Sequence, residues 1–310
     1  MTVLYFFPEE LRTPWYMWEQ RWNEIQEIRL RVNCPVSIRT ISSERFLLNK
    51  EGERVIYSDR EMELIFRHLC HDSIYAYEEE RKQGYMTLTG GHRVGITGEV
   101  IRVEQGYIVK YIRYMNIRIA HEVVGIGESI REYMYDGGMP CNSLIISPPA
   151  AGKTTLLRDM VRMYADGNGQ YRGINVGVIE RGEIAGACRG SASLHCGIRT
   201  DIITGGNKRG GVEILVRTFA PEIIAMDEIG SSGDAAAVLY AGVSGCAVLA
   251  TAHGLGVEDA VEKEELRALI SQCLFKRYIV LRREADGERT VQIWDGEGRE
   301  LCGRRQLQQR

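Results

Sequence analysis

Gly152, Lys153 and Thr154 follow an apolar run, Leu144-Ile145-Ile146, after the short bridge Ser147-Pro148-Pro149-Ala150-Ala151. A glycine at such a point lets the backbone approach an anion closely. The lysine supplies a mobile cation, and the threonine offers a hydroxyl to a divalent metal. Thr155, Leu156 and Leu157 begin an amphipathic stretch, so the next element reads as a helix whose first N–H groups point at the same anion. The stretch Ser147–Thr155 fits the pattern G-x-x-x-x-G-K-[ST] except at its first position, where Ser147 stands for glycine. Pro148 and Pro149 carry no N–H, so donors to phosphate must come mainly from Ala151 onward. The implied ligand is ATP with Mg²⁺, the metal held by Thr154.

A second acidic motif follows at Pro221-Glu222-Ile223-Ile224-Ala225-Met226-Asp227-Glu228. An apolar strand ending in Asp-Glu suits a Walker B element: Asp227 orients the metal and Glu228 polarises the attacking water as general base. Glu180 closes another apolar run and is followed by Arg181, Gly182 and Glu183. Strand C-terminal ends form the ligand crevice of a parallel sheet, so Glu180 is a rival for metal or water contact. Its other reading is an acid at a turn or helix cap. His253, in Thr251-Ala252-His253-Gly254, either senses the γ-phosphate or bound water, or serves as a structural hydrogen-bonding group. His68, Cys70 and His71 lack a third ligand of convincing spacing and read as an ordinary surface cluster.

The elements around these residues fall into two patterns. From Cys141 onward strands alternate with helices: strands at Ser143–Ser147, Ile174–Glu180, Ile198–Ile203, Ile223–Asp227 and Ala247–Thr251, helices at Lys153–Tyr164, Gly211–Phe219 and Gly233–Val243. That rhythm predicts βαβ units and a mainly parallel sheet. Before it, Pro14–Glu27 reads as helical and Pro35–Ile41 as β-prone. Met62, Ile65, Phe66 and Leu69 mark one helix face, and Ser73 starts a helix ending near Gly84. Tyr85–Ala120 reads as antiparallel strands, and His121–Met139 as a helix leading onward. Asp286-Gly287 marks a hairpin, and Gly296–Arg310 reads as loosely ordered. The expected division is an N-terminal α+β domain at 1–120, an α/β P-loop domain at 121–285 and a C-terminal hairpin and tail at 286–310.

Composition narrows the classes. A net charge of −3 with dispersed Lys and Arg argues against a dedicated nucleic-acid binder. None of the eight cysteines forms a C-x-x-C pair, so they read as reduced thiols of a cytosolic protein. No run has the length of a membrane span and no signal peptide is visible, so membrane contact is expected only through a partner protein.

Four stretches, 147–159, 179–185, 221–230 and 251–254, together with Leu88-Thr89-Gly90-Gly91-His92-Arg93-Val94-Gly95, resemble the stage III sporulation protein AA family over roughly residues 25–280. That family in turn is similar to the traffic ATPases of type II and type IV secretion and of type IV pili. The resemblance implies a RecA-like ATPase domain behind a smaller N-terminal domain, working as a homo-oligomer, a hexameric ring. It also implies a cytoplasmic place on the mother-cell side of a developing spore, with the membrane proteins of a secretion-like complex as partners. In such rings an arginine from a neighbouring N-terminal domain reaches the phosphates, which makes Arg93, Arg113 and Arg118 candidates. Secretion ATPases usually carry glycine where this chain has Ser147 and Asp227. Two other readings stay open: a nucleic-acid-stimulated RecA-like ATPase, and a non-enzymatic assembly subunit.

Overall fold

The computed structural model describes residues 2–40, 42–70, 84–103, 106–180, 182–187, 191–284 and 287–307. The helix expected from Ser73, and His71, Arg181, Cys188 and Asp286, lie outside the described residues. The chain divides into two compact units, Met1–His121 and Glu122–Arg310.

The first unit begins with short 3-10 turns and a single helical turn, α1 (Tyr16–Glu19). A six-stranded antiparallel sheet follows, in the order β3-β2-β1-β6-β5-β4. Its strands are β1 (Ile25–Arg31), β2 (Ser37–Thr40), β3 (Glu44–Phe46), β4 (Tyr85–Leu88), β5 (His92–Val103) and β6 (Gly106–Arg118). Helix α2 (Asp59–Leu69) starts in a capping box between Ser58 and Glu61 and buries Met62, Ile65, Phe66 and Leu69 with Ile28, Leu30, Val94 and Ile117 of the sheet. The continuous helix expected over Pro14–Glu27 does not form. Trp15 and Trp18 are buried on separate short turns, and Ile25–Glu27 already belongs to β1, which pairs with strands on both sides.

In the second unit the helix expected over His121–Met139 is replaced by a 3-10 segment, Gly127–Met134, and a tight hairpin of β7 (Tyr135–Asp136) and β8 (Met139–Pro140). Two local causes are visible. The Asp159 carboxylate accepts the N–H groups of Gly125 and Gly127 at 3.0 and 2.6 Å, and Gly137 and Gly138 both take positive φ to turn the chain.

An eight-stranded sheet forms the body of this unit, ordered β11-β10-β12-β13-β9-β14-β15-β16. In chain order its elements are β9 (Ser143–Ser147), α3 (Lys153–Asp166), β10 (Val176–Glu180), β11 (Thr200–Thr204), α4 (Lys208–Thr218), β12 (Ile223–Met226), α5 (Ser232–Val243), β13 (Ala247–His253), α6 (Val257–Glu262), α7 (Glu264–Ser271), β14 (Arg277–Arg283), β15 (Arg289–Asp295) and β16 (Glu300–Gln306). Neighbouring strands from β11 to β14 pair in parallel, and β15 and β16 continue the sheet antiparallel. The fold is the α/β P-loop architecture expected, with a smaller antiparallel sheet before it. Residues of β9 point alternately into two cores: Ile145 packs with Leu156, Met160 and Leu249, and Leu144 and Ile146 pack with Val212, Val238 and Leu269. Burial on both faces is why the strand reads as an unbroken apolar run.

The C-terminal segment differs from expectation. Residues 300–306 are not loose; they add β16 to the main sheet, with Cys302 buried beside Ile293. The hairpin and tail are therefore continuous with the sheet that carries the P-loop motif.

Candidate functional site

Strand β9 ends at Ser147, whose hydroxyl donates to the Pro148 carbonyl at 3.1 Å. The chain then turns through two left-handed residues, Ala150 (φ +61°) and Gly152 (φ +105°), before α3 begins at Lys153. A non-glycine residue in that region costs about 1 kcal/mol, a strain typical of functional loops. Among the described residues the N–H groups of Gly152, Lys153, Thr154 and Thr155 meet no backbone acceptor. They form the donor set that an anion at a helix N-terminus satisfies.

Three parallel strands bring the other groups to this loop. β13 lies directly beside β9, with His253 opposite Ser147, and β12 lies beyond it. Asp227 accepts hydroxyls on both oxygens: Thr154 Oγ1 donates to Oδ2 at 2.6 Å, and Thr251 Oγ1 donates to Oδ1. The same Thr251 hydroxyl accepts the Glu228 N–H at 2.8 Å. One buried hydroxyl thus sets both acids. Glu228 holds a positive φ of 54°, and Lys208 Nζ donates to its carbonyl at 2.5 Å while pairing with Asp234 at 3.2 Å. The Glu228 carboxylate is more than half exposed and lies 3.1 Å from His253 Nε2. Lys153 Nζ is 3.4 Å from the same nitrogen. One ring nitrogen cannot donate to a carboxylate and accept from an ammonium together, so the proton at Nε2 selects which neighbour His253 binds.

Glu180 stands elsewhere in the chemistry. It is 5% exposed, and its carboxylate accepts backbone N–H groups from Ile184, from Ala185 at 2.8 Å and from Ala187 at 3.2 Å. Burial raises its pKa above the ordinary value, with the three N–H bonds opposing that shift. From the other side Arg158 on α3 donates to the carbonyls of Ile184 and, at 2.6 Å, Glu183. Burial of its head lowers the Arg158 pKa. The loop after β10 is pinned through its N–H groups by Glu180 and through its carbonyls by Arg158. Three backbone donors thus occupy both oxygens of the Glu180 carboxylate. That geometry gives Glu180 an anchoring role in the loop after β10.

The arginines expected as trans contacts all lie in the first unit. Arg93 stacks over the Tyr85 ring at 3.6 Å, Arg113 pairs with Asp59, and Arg118 is exposed opposite Arg93 in the ladder. His68 sits 2.9 Å from the Tyr5 carbonyl, a structural contact.

Three residues at the site were not singled out from the sequence. Thr251 was visible only as part of its tetrapeptide, and Lys208 carries no motif. Arg289 at the start of β15 donates from Nε to the Ala151 carbonyl at 3.1 Å. Partial burial of its head and the neighbouring Arg283 charge lower the Arg289 pKa. No local pattern marks it, because the sheet alone brings it to the loop.

The oxygen donors at the loop suit a hard cation. Among the described residues no group of three or more His, Cys, Asp or Glu side chains forms a metal cage. A hydroxyl from Thr154 and the Asp227 carboxylate behind it match Mg²⁺, which keeps waters and phosphate oxygens as its other ligands.

Residues 9–301 match the family described as Sporulation stage III, protein AA. The chain belongs to that family. It is 38% identical to Stage III sporulation protein AA of Bacillus subtilis (strain 168) over 291 residues, covering 91% of each chain. Among solved structures it is similar to the Legionella pneumophila ATPase DotB, with a TM-score of 0.60 and 16% identity over 92% of this chain and 81% of that one. It is also similar to the pilus retraction motor PilT with bound ADP, with a TM-score of 0.59 and 14% identity over 91% of this chain and 82% of that one. At such identities the likeness shows the fold. Among the described residues no helix is long and apolar enough to cross a membrane.

Proposed function

We propose that the chain is an ATP-hydrolysing motor subunit of a secretion-like complex acting during endospore formation. It would sit on the cytoplasmic, mother-cell side and meet the membranes through partner proteins of that complex. The observation carrying this reading is the convergence at the loop of two linked sets, Lys153 with His253 and Glu228, and Thr154 with Asp227 and Thr251. Family membership and the motor-like fold support it.

In this reading the loop N–H groups and Lys153 bind the phosphates. Thr154 and Asp227 would hold Mg²⁺, which would offset phosphate charge when bound. Glu228 takes the proton of the attacking water, and His253 reports whether Lys153 has left it for a phosphate. Work by a hexameric ring, with one of Arg93, Arg113 or Arg118 completing a neighbour's site, follows the family resemblance.

The test is ATP turnover measured alongside oligomer mass, with and without nucleotide. Lys153→Ala and Glu228→Gln are expected to cut turnover by about 10²–10⁴-fold, the usual range for a lost general base or phosphate contact. Turnover in either variant equal to wild type sinks the hydrolytic reading. Strong stimulation by single-stranded DNA would favour a nucleic-acid-driven ATPase instead.

A further inference from the structure

Arg283 closes β14 and Arg289 opens β15, and the two stand opposite each other in the antiparallel ladder. Like charges in that position repel. Glu284, next to Arg283, is engaged elsewhere: it accepts from Thr290 Oγ1 at 2.6 Å and pairs with Arg304 at 3.1 Å. Among the described residues neither Arg283 nor Arg289 has an acid within ion-pair distance. Among the described residues, then, the two facing cations have no carboxylate to neutralise them.

Their position says what would neutralise them. Arg289 is exposed as a residue, yet its head is drawn onto the P-loop, with Nε on the Ala151 carbonyl at 3.1 Å. A Cβ placed on Gly152 would lie 2.8 Å from that Nε and 3.6 Å from Cζ. Gly152 is thus needed twice, for its left-handed backbone and for the space the guanidinium takes. Among the described residues the two terminal nitrogens of Arg289 make no hydrogen bond, which leaves two donors in a fixed fork.

The sheet order fixes the side. β9 carries the loop between β13 and β14. His253 ends β13 and Glu228 follows β12, so the hydrolytic groups lie on one flank; Arg283 and Arg289 lie on the other. A triphosphate whose terminal phosphate sits by Glu228 runs its remaining phosphates across the loop toward β14 and β15.

We propose that Arg289, with Arg283 behind it, is a cationic contact of the bound nucleotide, holding the non-transferred α- and β-phosphates from within the same chain. This rests on the reading of the loop as an ATP site. It adds a fork of donors that no residue of the four motifs supplies, on an element outside all of them.

The experiment measures MgADP affinity by calorimetry, and KM and kcat for MgATP, in the full-length wild type, Arg289→Ala, Arg289→Lys and Arg283→Ala. Charge-assisted hydrogen bonds set the expected loss for Arg289→Ala, about 10- to 100-fold weaker MgADP binding. KM for MgATP rises in step, while kcat falls much less, because the contact serves ground state and transition state alike. Arg289→Lys, which keeps the charge without the fork, recovers part of the loss. Arg283→Ala costs a few-fold. A merely structural arginine would lower kcat and thermal stability together and show no such split.

Arg289→Ala and Arg289→Lys both binding MgADP as wild type does overturns the proposal. So does a fall in kcat with MgADP affinity unchanged, which would put the arginine at the γ-phosphate. Should Arg289→Ala unfold, Arg289→Lys decides alone: weakened MgADP binding at unchanged melting temperature supports the contact, and unchanged binding overturns it. A wild type that binds neither nucleotide overturns the ATP-site reading and this one with it. A wild type that binds, beside unaffected variants, overturns this one only.

Discussion

Glu180 ends β10 and Glu228 follows β12, both at the C-terminal ends of neighbouring parallel strands, and exchanging each for glutamine separates the proposed anchor from the proposed base. In Glu180→Gln the amide oxygen can keep the two N–H bonds of Ile184 and Ala185, but its NH₂ then faces the Ala187 N–H. One buried donor loses its acceptor and meets another donor, a cost of about 1–3 kcal/mol. At about 2–4 °C per kcal/mol for a domain of this size, the melting temperature falls by about 2–12 °C. Glu180→Ala orphans all three N–H groups and costs about 3–5 kcal/mol, allowing for non-additivity. Turnover of folded Glu180→Gln is expected to stay within about tenfold of wild type, because the loop it anchors carries none of Lys153, Thr154, Asp227 and Glu228. Glu228→Gln behaves inversely: its side chain is 56% exposed, so stability moves by about 0.5 kcal/mol or less while hydrolysis collapses. Thermal melts and steady-state turnover of the two variants, side by side, provide the assay. An unchanged melting temperature with abolished turnover in Glu180→Gln would refute the anchor assignment and restore Glu180 as the chemical acid.

Three further perturbations probe the same framework. Thr251→Val keeps the shape but strips the buried hydroxyl from Asp227 and the Glu228 N–H. It is expected to cost about 1–3 kcal/mol and to lower turnover about 10- to 100-fold, and wild-type turnover would show that the hydroxyl does not set the acids. Gly152→Ala forces a Cβ into a left-handed residue and against Arg289. Nucleotide affinity should fall at least about tenfold with only about 1–2 kcal/mol lost in stability, checked by MgADP calorimetry and chemical denaturation. His92 is buried, and burial, aided by nearby His121, pushes its pKa down to about 4 from 6.5. Between those values the unfolded chain holds the extra proton, so stability is lost as pH falls from 6.5 toward 4, by up to about 3 kcal/mol. Denaturation midpoints at pH 7 and 4.5 should show that slope in the wild type and a flatter one in His92→Gln; equal slopes would refute it.

The parts of the site that were legible are local in the chain. Gly152-Lys153-Thr154, Asp227-Glu228 and His253 each sit where an apolar strand meets a polar end, and composition alone marks such points. Glu180 shared that signature, but its role depends on a loop folding back so that residues 184–187 reach its carboxylate, which no short-range pattern encodes. Arg289 is 138 residues from the carbonyl it touches, and only the pairing of β14 and β15 brings it there. Helices α6 and α7 went unseen because Glu and Asp crowd the segment and hide the buried set Ala260, Leu266 and Leu269. Strand β16 looked like a loose tail because Cys302 is its one fully buried side chain, as suits a polar edge strand.

Strand β9 has a consequence for the order of events on the ribosome. Its two neighbours are β13 and β14, so Ser143–Ser147 stays without sheet partners until residues 249–253 and 277–280 have been made. Such long-range parallel pairing is slow and leaves apolar strands exposed meanwhile. Ile145, Ile146 and the loop they carry therefore wait for nearly the whole chain. The candidate phosphate loop is encoded at mid-chain but waits on later strands, and a nascent chain halted before β13 holds the motif without Thr251 and His253 beside it.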